Sequence, residues 1–99
     1  YVADAANPLA PTLLGSLNVG GTVNDISLSL GSGNTQVFLA TSLATAELQV
    51  VNVTVPAAPA LLGIYNAAGV LNGIAYDATT DRAIAVGAPN AQELIVVQP

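Results

Sequence analysis

The stretch Val23-Asn24-Asp25-Ile26-Ser27-Leu28-Ser29-Leu30 decides the fold, because apolar and polar side chains alternate along it. A period of two indicates a β-strand with one buried face and one solvated face. We expect the apolar side chains to lie in a core, and these are Ile26, Leu28 and Leu30. We expect the polar side chains to face water, and these are Asp25, Ser27 and Ser29. An aspartate at Ile26 is therefore expected to unfold the unit, because it would bury an unpaired charge.

Further strand signals lie on both sides of this stretch, separated by turn residues such as those at 31–34. This spacing is typical of antiparallel β-meanders. No helix is expected, because prolines interrupt the alanine-rich segments. The predicted strands cover residues 1–4, 13–17, 23–30, 36–41, 47–53, 61–65, 72–77, 83–87 and 93–97.

The sequence also repeats itself. A shift of 48 positions places Ile26 on Ile74, and after a two-residue deletion a shift of 46 positions places Glu47 on Glu93. An aspartate at Ile74 is thus expected to act like one at Ile26. Residues 1–99 are predicted to form a single repeat region with three parts, namely the end of a preceding repeat (1–6), repeat one (7–55) and repeat two (56–99).

A repeated unit of four strands and about 45 residues has the size of a β-propeller blade. The predicted fold class is therefore all-β, with tandem four-stranded antiparallel repeats forming the blades of a partial propeller. A β-sandwich or a β-solenoid is the alternative. Two units cannot close a ring that usually needs about four to eight blades. Either the chain is a fragment, as its start inside a predicted strand suggests, or copies associate through open sheet edges.

Two motifs resemble a known family. Leu48-Gln49-Val50-Val51-Asn52-Val53 is followed by Pro56-Ala57-Ala58-Pro59, and Asn7-Pro8-Leu9-Ala10-Pro11 follows Asp4. Together they are similar to the LVIVD repeat family, which has a Leu-Val-Ile-Val-Asp strand and an Asn-Pro-x-x-Pro linker. Asn52 and Gln98 replace the family's Asp in the later copies, and Val55 replaces the linker Asn. The resemblance implies a propeller-like, non-catalytic surface protein of bacteria or archaea.

The composition limits the classes of partner. Only 7% of residues are charged, against about 25% in an ordinary soluble domain. The net charge of −5, with a single Arg and no Lys, repels phosphate groups, so neither nucleic acid nor an anionic membrane is expected as a partner. No membrane span is expected either, because the longest apolar stretch, residues 53–65, contains prolines and falls short of about 20 residues. The polar, lysine-poor composition favours an extracellular or cell-surface location.

Catalytic chemistry finds little support. The chain contains no His, Cys or Lys, which removes the usual general bases and thiol nucleophiles. A pair of carboxylates remains conceivable for glycoside hydrolysis, and the candidates are Asp25, Asp77, Asp81, Glu47 and Glu93. We expect Glu47 and Glu93 to be solvated charges at exposed strand ends, so that Glu47→Gln leaves stability nearly unchanged. No catalytic residue, cofactor or metal is predicted.

A few polar residues are candidates for ligand or loop positions. Asn24 and Asn72 recur at the same repeat position, either as part of a ligand platform or as one turn used twice. Asp77 and Asp81 flank a turn, which resembles a turn-forming pair more than a calcium loop. Asp25 adjoins the first of these asparagines. Asn52-Val53-Thr54 is a sequon for N-glycosylation.

Three functions are consistent with these residues. The first is a non-enzymatic cell-surface or secreted repeat module, which binds an unknown protein or surface ligand or serves structural display. The second is a fragment of a propeller enzyme whose active site lies outside these residues. The third is a subunit or head domain of a surface filament or pilin, in which open sheet edges join copies.

Overall fold

A computed structural model of the chain describes residues 1–31, 34–88 and 93–98. Over these ranges 56% of residues are in strands and none is in a helix, which confirms the all-β prediction. The described residues accordingly contain no helix that could span a membrane. The strands are β1 (Val2–Asp4), β2 (Thr12–Gly15), β3 (Val23–Gly31), β4 (Asn34–Thr41), β5 (Leu48–Asn52), β6 (Ala60–Tyr65), β7 (Leu71–Asp77), β8 (Arg82–Gly87) and β9 (Leu94–Val97).

Within the described ranges the strands form three antiparallel sheets, and inside each sheet the strands pair in sequence order. The sheets are β1–β2, β3–β4–β5–β6 and β7–β8–β9, and none of them closes into a barrel. In the four-stranded sheet Ile26 lies opposite Leu39 and Leu28 opposite Val37. The predicted turn after β3 includes Ser32 and Gly33, which lie outside the described residues.

The main core lies between the four-stranded and three-stranded sheets. Strand β3 runs beside β7, and β4 also contacts β7. The side chains of the core are small or apolar, and removing them from water stabilises the fold. They are Phe38, Ala40, Leu48, Ala67, Leu71, Ile74, Ala83, Ala85 and Ile95.

The face of β3 that is buried differs from the prediction. Ile26 is 60% exposed and Leu28 is 51% exposed, whereas Ser29 on the opposite face is only 6% exposed. The expectation that the apolar face of β3 is buried was therefore wrong for these residues, and the side chain of Leu30 lies outside the described part. The reason is that β3 turns its polar face toward β7, where its side chains bind backbone N–H groups.

A second, smaller apolar cluster lies on the other face of the four-stranded sheet. Val37, Leu39 and Val51 are buried there, with Val19 and Val53 packed against them. A cavity of about 240 Å³ adjoins this cluster and is also lined by residues at and next to β1 and β2. The hairpin β1–β2 therefore covers this face incompletely.

Candidate functional site

Polar side chains of β3 bind the edge of β7 that faces away from β8. Asp25 Oδ2 accepts a hydrogen bond of 2.9 Å from the Ile74 N–H. Ser27 Oγ accepts one of 2.9 Å from the Tyr76 N–H. Because alternate residues of a strand direct their N–H groups to the same edge, these two bonds satisfy donors that β8 does not reach. Asp25 is thus placed to join the two sheets.

The two recurring asparagines have different surroundings. The Asn24 Nδ2 donates to the Leu71 carbonyl oxygen at 2.7 Å and to Ser42 Oγ at 3.0 Å. Asn24 therefore joins β3 to the residue after β4 and to the start of β7. Asn72 is exposed on β7, so the two side chains serve the fold differently.

Asp77 is the last residue of β7, and Asp81 lies in the turn between β7 and β8. Asp77 Oδ1 accepts from the Thr79 N–H at 2.9 Å, and its Oδ2 accepts from Thr80 Oγ1 at 2.7 Å. Asp81 has a backbone φ of 52°, and its Oδ1 accepts from the Tyr76 hydroxyl at 2.6 Å. This hydrogen bond is the main cause of the raised pKa of Tyr76. Across the described residues no three acidic side chains come together to hold a metal ion.

The sequon residues are used at the end of β5. Asn52 Oδ1 accepts from the Thr54 N–H at 2.8 Å, and Thr54 Oγ1 accepts from the Thr35 N–H at 3.0 Å. Thr54 therefore holds the segment after β5 against β4, and Asn52 fixes the turn that positions Thr54. Glycosylation of Asn52 remains a prediction.

Hydrogen bonds lower the pKa of two candidate carboxylates. For Asp25 the N–H of Ile74 is the main cause of the lowered pKa and the N–H of Ile26 contributes further. For Asp77 the hydroxyl of Thr80 is the main cause of the lowered pKa, followed by the N–H of Thr79. Each hydrogen-bond donor favours the ionised carboxylate. An ionised carboxylate can only accept hydrogen bonds, which is the role that both side chains have in the scaffold.

These lowered pKa values predict how stability depends on pH. The ordinary value is 3.8, and a carboxylate with a lower pKa in the folded state stabilises that state at higher pH. The contribution is fully present near neutral pH and is lost as the pH falls below 3.8. We expect the melting temperature to fall in this range, and to fall less in Asp25→Asn. Thermal melts from pH 7 to pH 2 test this, and an equal fall in both proteins would contradict it.

Glu47 is buried, contrary to the sequence prediction. It is 3% exposed, and its Oε2 accepts a hydrogen bond of 2.9 Å from the Ala67 N–H. Nearby, Thr41 Oγ1 donates to the Ala46 carbonyl at 3.0 Å. The expectation of a solvated strand end was wrong for Glu47 because the loop between β6 and β7 covers it. Glu93, at the matching position, is exposed as predicted.

Removal of the Glu47 side chain is expected to destabilise the chain. In Glu47→Ala the buried Ala67 N–H loses its acceptor, which costs about 1–3 kcal/mol of unfolding free energy. The matched control is Glu93→Ala, which we expect to change this free energy by less than about 0.5 kcal/mol. Urea unfolding followed by circular dichroism measures both. Equal small losses would mean that the Glu47–Ala67 bond is unimportant in solution.

The candidate residues do not converge on one site. Asn24 and Asp25 bind the edge and start of β7, whereas Asp77 and Asp81 lie in the next hairpin and bind within it. Every buried side-chain nitrogen or oxygen in the described ranges has a hydrogen-bond partner. The polar side chains singled out in the sequence therefore act as connections within the scaffold.

Comparison with known proteins identified no relative of this chain. The chain matches no protein-family model, no curated protein and no solved structure.

Proposed function

We propose that the chain is a non-catalytic β-repeat module of a secreted or cell-surface protein, with a binding or structural display role. The observation that carries this proposal is that two of the candidate acidic residues, Asp25 and Asp77, accept hydrogen bonds within the scaffold. Asp25 accepts hydrogen bonds from the backbone N–H groups of Ile74 and Ile26. Asp77 accepts hydrogen bonds from Thr79 and Thr80, which follow it in the chain. Acids committed to such bonds are poorly placed to transfer protons to a substrate.

The repeat and blade interpretation has its own support. Strand β3 begins at Val23 and β7 at Leu71, which are 48 positions apart. The two strands lie side by side, while the later strands of each sheet follow them in sequence order. This arrangement is the one that neighbouring propeller blades require. We therefore propose that the two sheets are successive blades and that the chain is related to the LVIVD repeat family.

A substrate panel tests the absence of catalysis. The purified chain is incubated with chromogenic esters, lactones, glycosides and phosphate esters, and turnover is compared with a buffer blank. We expect no turnover above the blank. Turnover that disappears in Asp25→Asn or Asp77→Asn would overturn the proposal, because it would show that a scaffold acid does chemistry.

Labelling of intact cells tests the location. Antibodies against the purified chain are applied to intact and to permeabilised cells of the producing organism, before and after treatment with an external protease. We expect labelling of intact cells, or of the culture medium, that the protease removes. Labelling that requires permeabilisation would overturn the surface assignment and leave the test of catalysis unaffected.

A further inference from the structure

Both larger sheets expose an apolar face. On the four-stranded sheet the first open face consists of Ile26 and Leu28, next to buried Val37 and Leu39. On the three-stranded sheet the second open face consists of Ile84 (38% exposed), Val86 (45%), Leu94 (63%) and Val96 (56%). Exposed apolar patches of this kind often mark interaction sites.

The first open face has a buried counterpart within the chain. The shift of 48 positions that relates the predicted repeats places Ile26 on Ile74. The shift of 46 positions places Leu39 on Ala85. Ile74 and Ala85 are 8% and 0% exposed, because they pack against the four-stranded sheet. The first open face is therefore the repeat equivalent of one side of the main core.

The second open face is the equivalent of the other side of that core. The shift of 46 positions places Phe38 on Ile84 and Ala40 on Val86. Phe38 and Ala40 are each 0% exposed in the main core. The two open faces thus correspond to the two halves of an interface that the chain already forms between its own sheets.

We propose that a second copy of this chain covers the first open face with its own second open face. This docking repeats, between two copies, the packing of the β7–β9 sheet on the four-stranded sheet inside one chain. The six exposed residues of the two faces are all uncharged, so no charge is buried in the contact. Since the faces differ, the contact is head-to-tail, and copies add until a ring closes or a filament grows. This inference rests on the repeat that underlies the proposed function.

The hairpin β1–β2 fits this arrangement. Shifted by 48 positions, β1 and β2 fall on β5 and β6, the third and fourth strands of the four-stranded sheet. In the described residues the β7–β9 sheet ends at its third strand. The incoming β9 takes the place of β1 beside β2, because β1 and β9 occupy the same position in the repeat. Docking then places β2 beside the incoming β9 and covers the cavity beside Val37 and Leu39.

Complementary blocking of the two faces tests the proposal. Ile26→Asp blocks the first open face and Val86→Asp blocks the second, and circular dichroism verifies that both variants fold. Sedimentation velocity over a wide range of concentration then measures their mass. We expect the unaltered chain to associate as concentration rises, either into a ring of two or more copies or into longer species. We expect each variant alone to be a monomer, and an equal mixture to form a one-to-one dimer that grows no further.

A matched control and a substitute variant complete the design. Ala44→Asp places the same charge in an exposed loop and is expected to associate like the unaltered chain. If Val86→Asp fails to fold, Leu94→Asp blocks the same face. A chain that stays monomeric at all concentrations would overturn the proposal, as would single variants that still associate. Neither result changes the outcome of the substrate panel or of the cell labelling. A failure of this proposal is therefore distinguishable from a failure of the proposed function.

Discussion

Ile74→Asp is expected to abolish folding, whereas Ile26→Asp is expected to leave a folded chain. Ile74 is 8% exposed within the main core, and an unpaired carboxylate there costs several kcal/mol. Small domains have only about 5–15 kcal/mol of total stability. Ile26 is 60% exposed, so its substitution is expected to cost about 1 kcal/mol or less.

Far-ultraviolet circular dichroism and urea unfolding distinguish the two variants. Ile74→Asp should give the spectrum of a disordered chain in water, and Ile26→Asp a β spectrum with a cooperative transition. Ile74→Val serves as the control for core position, because it keeps the residue apolar and costs only about 0.5–1.5 kcal/mol. A folded Ile74→Asp together with an unfolded Ile26→Asp would mean that the two faces are assigned the wrong way round.

Phe38→Ala is expected to produce the second largest loss. The Phe38 side chain is fully buried, and its ring stacks on Tyr76 with centroids 5.2 Å apart and an interplanar angle of 10°. Truncation leaves a cavity between the two sheets and removes the stacked contact. We expect a loss of about 3–5 kcal/mol in the free energy of unfolding.

Ile84 provides a matched control for Phe38, since the two residues share a position in the predicted repeat. Ile84 is 38% exposed, so Ile84→Ala is expected to cost about 1 kcal/mol. Near-ultraviolet dichroism of tyrosine gives a second readout, which Phe38→Leu should weaken through loss of the stacked ring. Equal losses for the two alanine variants would contradict the packing of the second sheet on Phe38.

The strands could be predicted from the sequence because their signals are local. Each of the nine predicted strands has a counterpart in the described residues, with ends that differ by a few positions, as for residues 13–17 and Thr12–Gly15. The buried face of β3 could not be predicted. Alternation shows which side chains share a face, but it does not show which face meets another sheet. In β3 the polar face, not the apolar one, meets the β7–β9 sheet.

The same distinction between local and distant partners applies to the candidate site. Asp77 binds Thr79 and Thr80, within three residues of itself, so a turn-forming role could be read from the sequence. Asp25 binds Ile74, which is 49 positions away. Glu47 binds Ala67, which is 20 positions away. These contacts exist only after the sheets have packed, and no local pattern indicates them.

The hydrogen bonds from Asp25 and Ser27 to β7 have a mechanical consequence for any assembly of copies. A shift of 48 positions places Gly73 and Ala75 at the equivalent positions, and these residues have no side-chain acceptor. A junction between two chains would therefore lack the Asp25 and Ser27 bonds to the neighbouring strand, and only Asn72 would keep the position of Asn24. Under tension or dilute denaturant, an assembled ring or filament would break between chains first and release intact copies.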